Sequence, residues 1–414
     1  MPTMPTHPTT ASSQPRSGIA RLTGLPTGRR ARHGGLLALT AAMTVSLGLT
    51  ACSSKSSSST TSSSSSAGGS AGSSGAVADA TSLVATLRSP SNMFVAPGPA
   101  FDAKSMRGKS LWYVALSQSI PVLAVEQGGI RQAADALGMS LKICDGKFQP
   151  ATAAACVNSA VSSGAAGVIM DSVTTPSVST AITNATSHKV PVLAVSALGT
   201  NSNSVSYGTN GDERSEAVAA DWIIADAKGK AKILGTKVQD DTGAINDIET
   251  GSKPEFAKCP DCKTVTATYT SGTVTGVPSL VSSTLLSNRD VTYGFPQFDF
   301  LVPLFKAGVQ TAGLTAKMKI VSTNSVLSSM QLVKSGGQAA DIGSNRNYSG
   351  WLSMDSLLRM LKGLPVPTKS EIPIRVFDST NIGSVPLTDQ AASTGEWFGP
   401  LDYQKSFQHL WGLG

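Results

Sequence analysis

The 414-residue chain is poor in aromatic residues (5%) and charged residues (14%), and it contains 40 glycines. This composition favours closely packed α/β layers and argues against a coiled coil or a disordered chain. Five arginines and no acidic residue precede residue 53, so 28 basic and 26 acidic residues remain of a chain whose formal charge is +7. That balance does not indicate the basic surface of a nucleic-acid-binding protein, and we predict no nucleic-acid partner.

The N-terminal residues have the parts of an export signal. A basic stretch around Arg29 precedes an apolar run from Leu36 to Leu49, which is shorter than the roughly 20 apolar residues of a membrane helix. The run ends in Leu-Thr-Ala-Cys at Cys52, which resembles the bacterial lipobox. We predict a lipoprotein signal peptide over residues 1–51 and a lipid on Cys52 that holds the protein at the outer face of the cell membrane. A plain secretory signal is the alternative, and the export route and the true start codon stay open.

The segment after Cys52 is predicted to be a tether. Residues 52–76 consist almost wholly of Ser, Gly, Thr and Ala, which cannot bury enough apolar area to order the chain, so we expect a flexible coil. Residues 77–108 contain several prolines and form a lead-in segment before the first strand.

From residue 111 onward, short apolar runs alternate with longer helical stretches. The predicted strands cover residues 111–117, 140–143, 167–170, 191–195, 205–207, 231–234, 264–269, 291–295, 319–321 and 340–342. The predicted helices cover or include residues 123–137, 151–163, 177–187, 212–227, 250–258, 277–287, 300–312, 331–334 and 354–361.

This alternation predicts an α/β fold of two doubly wound parallel-sheet lobes joined by a hinge near residues 207–212. Open parallel sheets bind ligands beyond the carboxyl ends of their strands. We therefore expect the ligand in a cleft between the lobes, contacted by the loops that follow the strands.

Few residues offer catalytic chemistry. After Cys52 the only histidines are His188 and His409, and the sequence contains no zinc spacing, GxSxG, phosphate-binding loop or dinucleotide-binding glycine motif. We predict no catalytic residue, no metal and no cofactor. Asp240-Asp241 and Asn246-Asp247 do not match the calcium-loop spacing, so a solvated loop is the preferred interpretation over a cation site.

Four further cysteines suit an exported protein with two disulfides. Proximity in the sequence favours Cys144–Cys156 and Cys259–Cys262, although four cysteines allow three pairings. Cys259-Pro-Asp-Cys262 follows a predicted helix instead of opening one, which is the wrong end for lowering the pKa of a thiol. A structural bridge is preferred, with a redox enzyme or free thiols as alternatives.

The loops after the strands carry polar side chains together with one aromatic ring, as expected for a small polar ligand. Each of them taken alone could be an ordinary cap or turn residue. Their recurrence at equivalent positions favours a binding site. The candidates are Gln118, Asp171, Ser172, Ser196, Asn246, Phe298, Asp299, Asn324, Ser344 and Asn345.

Three stretches have the sequence pattern of a known protein family. They are the run from Asp290 through Tyr-Gly-Phe-Pro-Gln-Phe-Asp-Phe to Gly313, the run Gly164-Ala-Ala-Gly-Val-Ile-Met-Asp, and Val190-Pro-Val-Leu-Ala-Val. Residues 111–377 thereby resemble the periplasmic sugar-binding proteins of the ribose-binding type, the type I solute-binding fold of ABC importers. The resemblance implies an N-terminal lobe of residues 109–210 and 346–374. It also implies a C-terminal lobe of residues 211–345 and 375–386, followed by an aromatic tail over residues 387–414.

The resemblance also implies ligand contacts in the N-terminal lobe. Gln118 and Val122 fall in the family's first ligand loop, and Asp171 or Ser172 falls in the second. Ser196 stands where the family usually has an Asp followed by Arg. In the C-terminal lobe, Asn246 or Asp247 lies near the position of another Arg.

In the C-terminal lobe, Phe298 replaces a usual Asn while Asp299 keeps the neighbouring acid. Asn324 stands at the position of a sugar-clamping Asp, and Ser344 or Asn345 at that of a Gln. The missing charged groups predict weaker sugar binding or a less hydroxylated, more apolar ligand, since charged groups make the stronger hydrogen bonds.

The implied function is capture of a small solute, sugar-like in class, and its delivery to the permease and ATPase of an ABC importer. A ligand sensor that signals to a membrane receptor is the alternative, as is a binder of a less polar or aromatic solute. The aromatic residues of the tail are expected to pack back on a lobe, with partner docking as the alternative.

Overall fold

The computed structural model describes residues 70–91, 94–367 and 371–414, with side chains from residue 74 onward. The predicted signal peptide, Cys52 and most of the predicted tether lie outside the described residues. None of the helices in the described part of the chain is both long and apolar enough to cross a membrane.

Helices and strands alternate through the described residues as the apolar pattern predicts. The helices are α1 (Ser70–Leu87), α2 (Pro121–Leu137), α3 (Pro150–Ser162), α4 (Ser179–Ser187), α5 (Asp212–Asp226), α6 (Thr242–Asp247), α7 (Lys253–Ala257), α8 (Val277–Ser287), α9 (Val302–Thr311), α10 (Leu327–Lys334), α11 (Arg346–Leu361), α12 (Asp389–Thr394) and α13 (Tyr403–Leu410). The strands are β1 (Ser110–Ala115), β2 (Ser140–Asp145), β3 (Gly167–Asp171), β4 (Val192–Val195), β5 (Val205–Gly208), β6 (Lys232–Val238), β7 (Lys263–Tyr269), β8 (Tyr293–Phe295), β9 (Lys319–Thr323), β10 (Ala340–Ser344) and β11 (Ile374–Asp378).

The N-terminal lobe is a five-stranded parallel sheet in the order β2-β1-β3-β4-β5. Successive residues of a strand point to opposite faces, so Ile169 packs with α2 and α11 while Val168 and Met170 pack with α3 and α4. Burial on both faces explains why these strands are almost continuously apolar.

Helices α2 and α11 pack closely because glycines face each other. A Cβ at Gly129 would collide with the backbone carbonyl of Asn347, and a Cβ at Gly350 with that of Glu126. This close packing brings the first residue of α11, Arg346, next to Glu126 at the edge of the sheet.

The C-terminal lobe is a six-stranded sheet in the order β11-β10-β9-β8-β6-β7, in which β11 alone is antiparallel to its neighbour. Helices α1 and α5 cover one face, where Val84 and Trp222 meet Ile233. Helices α8 and α9 cover the other face, where Phe305 meets Leu234. The two lobes thus confirm the predicted fold class.

The main chain passes between the lobes at three neighbouring places, after β5, after β10 and before β11. Hydrogen bonds join these crossings. Ser344 Oγ donates to the carbonyl of Asn210 at 2.7 Å, and the N–H of Asn345 donates to the carbonyl of Pro373 at 2.8 Å. These three adjacent crossings together form the hinge between the lobes.

The aromatic tail packs on both lobes. Trp397 and Phe398 join a cluster with Phe377 of β11, whereas Phe407 and Trp411 pack on Trp351 of α11. The expectation that the tail packs back on the protein is confirmed, with the addition that it bridges the lobes.

Two stretches differ from the sequence prediction. Helix α1 begins at Ser70, inside the predicted coil, because Ala80 and Val84 of this helix bury themselves against α5. A helical stretch begins at Thr242 instead of residue 250 and runs through a π-helical turn, Ile248–Ser252, into α7.

In this structure Cys144 of β2 is bonded to Cys156 of α3, and Cys259 is bonded to Cys262 after α7. The first bridge joins residues 12 apart and the second residues 3 apart. In the chain-entropy model the larger loop gives the larger stabilisation, about 3 against about 2 kcal/mol. The Cys144→Ser, Cys156→Ser variant should therefore lose more stability in urea unfolding than the Cys259→Ser, Cys262→Ser variant. The reverse order would contradict this account.

Glu216 of α5 is buried and titratable. It is 1% exposed, neither carboxylate oxygen has a hydrogen-bond partner among the described residues, and burial raises its pKa to about 8. An acid whose pKa is higher in the folded state stabilises the fold at low pH, and that stability is lost as pH rises through the folded pKa.

We therefore expect Glu216→Gln to leave the free energy of unfolding unchanged near pH 4. At pH 9 the variant should be more stable than the wild type by at least about 1.4 kcal/mol, which corresponds to a shift of one pKa unit. Urea unfolding at both values measures the difference, and Glu213→Gln, on the exposed side of the same helix, is the control. A difference that does not change with pH would show that Glu216 is not the titrating group.

Candidate functional site

A cleft between the lobes lies at the carboxyl ends of the strands. It encloses about 720 Å³ of atom-free space, including its open mouth. Residues from both lobes line it, and they are Leu116, Ile120, Val122, Leu123, Phe148, Ser172, Ser196, Asn210, Asp212, Val238, Asp241, Ala244, Asp247, Tyr269, Ser271, Val274, Phe298, Phe300, Asn324 and Arg346.

Five candidate residues line this cleft, namely Val122, Ser172, Ser196, Phe298 and Asn324, and so does Asp247, the alternative to Asn246. Three of them have a positive φ, 58° at Ser172, 52° at Ser196 and 99° at Asn324. Non-glycine residues with a positive φ are uncommon, and strained residues cluster at ligand sites. The turns that end β3, β4 and β9 therefore direct these side chains to the space between the lobes.

Three further candidates lie behind the wall of the cleft. Asp171 is fully buried and accepts a 2.6 Å hydrogen bond from Tyr113 Oη. Asp299 accepts the N–H of Val326 at 2.7 Å and so braces the turn before α10. The backbone N–H of Gln118 is tied to Asp145 at 3.0 Å. These residues shape the site from behind and do not line it.

The remaining candidates belong to the hinge and its neighbourhood. Ser344 donates to the carbonyl of Asn210 in the crossing after β5. Asn345 caps α11 by accepting the N–H of Tyr348 at 3.0 Å. Asn246 lines a second cavity between the lobes and donates no bond toward the main cleft. Local capping and hinge contacts therefore occupy side chains that the sequence pattern assigned to the ligand.

Arg346 lines the cleft but was not among the residues predicted from the sequence. Its guanidinium is 97% buried and bonds to Asp212, to Asn324 Oδ1 at 2.9 Å and to Glu126 Oε2 at 3.4 Å. Burial alone would lower the pKa of Arg346, but the charges of Asp212 and Glu126 raise it. The group therefore stays charged at the junction of the two lobes. Its position at the start of a helix, immediately after a strand, was the available signal.

Several acids in and behind the cleft share raised pKa values. Burial raises the pKa of Asp171 and of Asp241 to about 6, and it raises those of Glu126 and Asp247 well above their usual values. Repulsion from Asp212 adds to the shift in each case. The cleft is thus rich in carboxyl groups held close together.

The interpretation of residues 240–247 as a solvated loop is wrong. Asp241 caps α6, with its Oδ1 accepting the N–H of Ala244 at 3.1 Å, and both Asp241 and Asp247 line the cleft. Among the described residues, no group of three or more His, Cys, Asp or Glu side chains could hold a metal ion.

Apolar side chains cover much of the cleft surface. Phe298 and Phe300 stack with ring centroids 5.8 Å apart and planes inclined by 12°, and Phe148 of the other lobe also lines the cavity. Aromatic faces of this kind pack on the C–H faces of sugar rings and on apolar groups. The arrangement suits a compact ligand with both polar and apolar surface.

The sequence matches a family described as a periplasmic binding protein domain, over residues 113–365. No curated protein matches it significantly. Among solved structures it is similar to the 5-methylthioribose transporter solute binding protein from Thermotoga lettingae in complex with 5-methylthioribose. The two are 13% identical with a TM-score of 0.64, and the match covers 75% of this chain and 99% of that chain.

It is also similar to an ABC transporter solute binding protein from Agrobacterium vitis bound with alpha-D-tagatopyranose, at 19% identity and a TM-score of 0.60. That match covers 69% of this chain and 98% of the other. A protein from Mycobacterium smegmatis in complex with beta-D-fucofuranose is 20% identical with a TM-score of 0.59, over 70% of this chain and 98% of its own. The chain therefore belongs to the periplasmic binding protein family.

Proposed function

We propose that the protein is an extracytoplasmic lipoprotein that captures a small sugar-like solute between its lobes and delivers it to the permease and ATPase of an ABC importer. The observation that carries this proposal is the cleft itself, in which Ser172 and Ser196 of one lobe face Asn324 and Phe298 of the other. The sugars named for the similar solved structures support the same ligand class.

The mechanism is closure of the lobes about the hinge without any bond being made or broken. Ligand binds the closed form better because only that form brings both sets of side chains around it, so the population shifts toward closed. The signal sequence and Cys52 support a lipid anchor that would keep the domain near its importer. A sensor that presents the closed form to a membrane receptor is the alternative assignment.

A solute with an apolar face is favoured over a plain pentose by one observation. Ten of the cleft-lining side chains are aliphatic or phenylalanine, and these are Leu116, Ile120, Val122, Leu123, Phe148, Val238, Ala244, Val274, Phe298 and Phe300. A sugar with an apolar substituent or an exposed C–H face would use this surface.

Thermal unfolding of the full chain against sugars, polyols, amino acids and aromatic acids tests the proposal. A solute at 100 times its dissociation constant should add about 2.7 kcal/mol of stability. The shift should vanish in Phe298→Ala and persist in Leu286→Ala, an exposed apolar residue of α8. A sugar-specific shift supports the proposal, a shift with aromatic acids alone removes the sugar, and no shift with any sugar or polyol contradicts it.

A further inference from the structure

The charge of the cleft is unbalanced. Among the described residues that line it, Asp212, Asp241 and Asp247 are acidic and Arg346 is the single base. Two more acids, Asp171 and Glu126, are fully buried directly behind it. Carboxylates brought together out of water repel one another, and each needs a positive partner or a proton.

Arg346 cannot balance these acids. Its Nη1 bonds to Glu126 and its Nη2 to Asp212 and Asn324, so its charge is already shared by two carboxylates. The remaining acids of the cleft, Asp241 and Asp247, lie at the start and the end of α6. One guanidinium therefore leaves carboxyl groups at the ligand position without a positive partner.

Among the acids that line the cleft, Asp247 has the fewest hydrogen-bond and ion-pair partners. Within the described residues, no side chain or backbone group donates a hydrogen bond or forms an ion pair with its carboxylate. Burial raises the pKa of Asp247, the charges of Asp212 and Asp241 add to that rise, and the charge of Arg346 opposes it. A carboxylate in this position is best satisfied by a positively charged donor from the ligand.

Another unpartnered atom indicates the rest of the ligand. Nε of Arg346 is buried and has no hydrogen-bond partner in the described part of the chain, and this residue lines the same cavity. An N–H donor requires an acceptor oxygen such as a hydroxyl or ring oxygen. The cleft thus has an N–H donor on Arg346 that needs an acceptor oxygen and a carboxylate on Asp247 that needs a cation. Aromatic rings lie between the lobes.

We propose that the captured solute carries a protonated amine on a hydroxylated frame, in the class of amino sugars and amino polyols. The proposal rests on the solute-binding function given above. The ammonium group pairs with Asp247 and Asp241, hydroxyl oxygens accept from Arg346, and the ring stacks against Phe298. A neutral sugar of the same shape leaves the carboxylates without a counter-charge.

Matched pairs of solutes test this assignment, namely glucose with glucosamine, galactose with galactosamine and sorbitol with 1-amino-1-deoxysorbitol. N-acetylglucosamine is added as a neutral amide. Calorimetric titration of the full chain at fixed ionic strength should show the amine member of at least one pair binding about tenfold or more tightly, which corresponds to 1.4 kcal/mol. Asp247→Asn should reduce that preference by a similar factor, whereas Asp135→Asn on the exposed side of α2 should not.

The outcomes separate the two proposals. Equal or tighter binding of the neutral members overturns the amine assignment and leaves sugar binding in place. An amine preference that survives Asp247→Asn overturns the role of Asp247 and with it the proposed geometry. Absence of binding by every member of every pair overturns both the amine assignment and the sugar-binding function.

Discussion

Replacing Arg346 with Met should cost about 3–5 kcal/mol of stability at pH 8, because it leaves buried carboxylates without their cation. Arg346 is 3% exposed and its partners Glu126 and Asp212 are also buried. The loss should shrink toward pH 5, because burial and the charge of Asp171 raise the pKa of Glu126 and a protonated carboxyl group needs no cation. Urea unfolding at both pH values measures the change.

Two controls make this result specific to charge. Arg214→Met, at an exposed position of α5, removes an arginine without affecting the cleft and should change stability by less than about 0.5 kcal/mol. Adding Glu126→Gln and Asp212→Asn to Arg346→Met should restore part of the lost stability, since the uncompensated charges are then removed together. A loss below about 1 kcal/mol, or no recovery in the triple variant, would contradict the account.

Replacing Trp411 with Ala should cost about 3–5 kcal/mol, the range for a fully buried tryptophan. Trp411 is fully buried, stacks on Trp351 at 5.5 Å between ring centroids, and donates its Nε1–H to Asp355 Oδ1 at 2.9 Å. Removing the ring opens a cavity under α11 and takes a hydrogen bond from a buried carboxylate.

A second substitution separates these two contributions. Trp411→Phe keeps much of the ring packing but loses the hydrogen bond, so it should cost about 1–3 kcal/mol, less than the Ala variant. Differential scanning calorimetry of both variants gives the comparison. If the tail served only to dock a partner, Trp411→Ala would leave the melting temperature of the isolated protein unchanged.

The fold could be predicted from the sequence because buried parallel strands produce a local signal. Runs such as Val192–Val195 are apolar on both faces, and helices with an apolar stripe separate them. The sequence did not predict strand β11. Its pairing with β10 depends on the chain returning to the C-terminal lobe after α11. Helix α1 was missed because its low-complexity start resembles a tether, and only packing on α5 orders it.

The site was predicted where topology alone positions a residue. Ser172, Ser196, Phe298 and Asn324 each follow a strand whose end faces the cleft, so the rule for parallel sheets located them. Arg346 also follows a strand, but its buried ion pairs could not be foreseen, because its partners Glu126 and Asp212 lie 220 and 134 positions away in the sequence.

Other candidates lie outside the lining of the cleft for local reasons. Asn345 and Asp299 follow strands as the rule requires, but their side chains accept backbone N–H groups at the start of helices. A polar residue at such a position serves either the ligand or the helix, and the choice depends on backbone geometry that the sequence does not specify.

A crystal structure of the full chain with its tightest-binding solute tests the central claim most directly. We predict that the solute lies between the lobes, within hydrogen-bond distance of Ser172 on one side and Asn324 on the other, with its ring against Phe298. A solute bound to one lobe alone, or at any position outside this cleft, would contradict capture by closure of the two lobes.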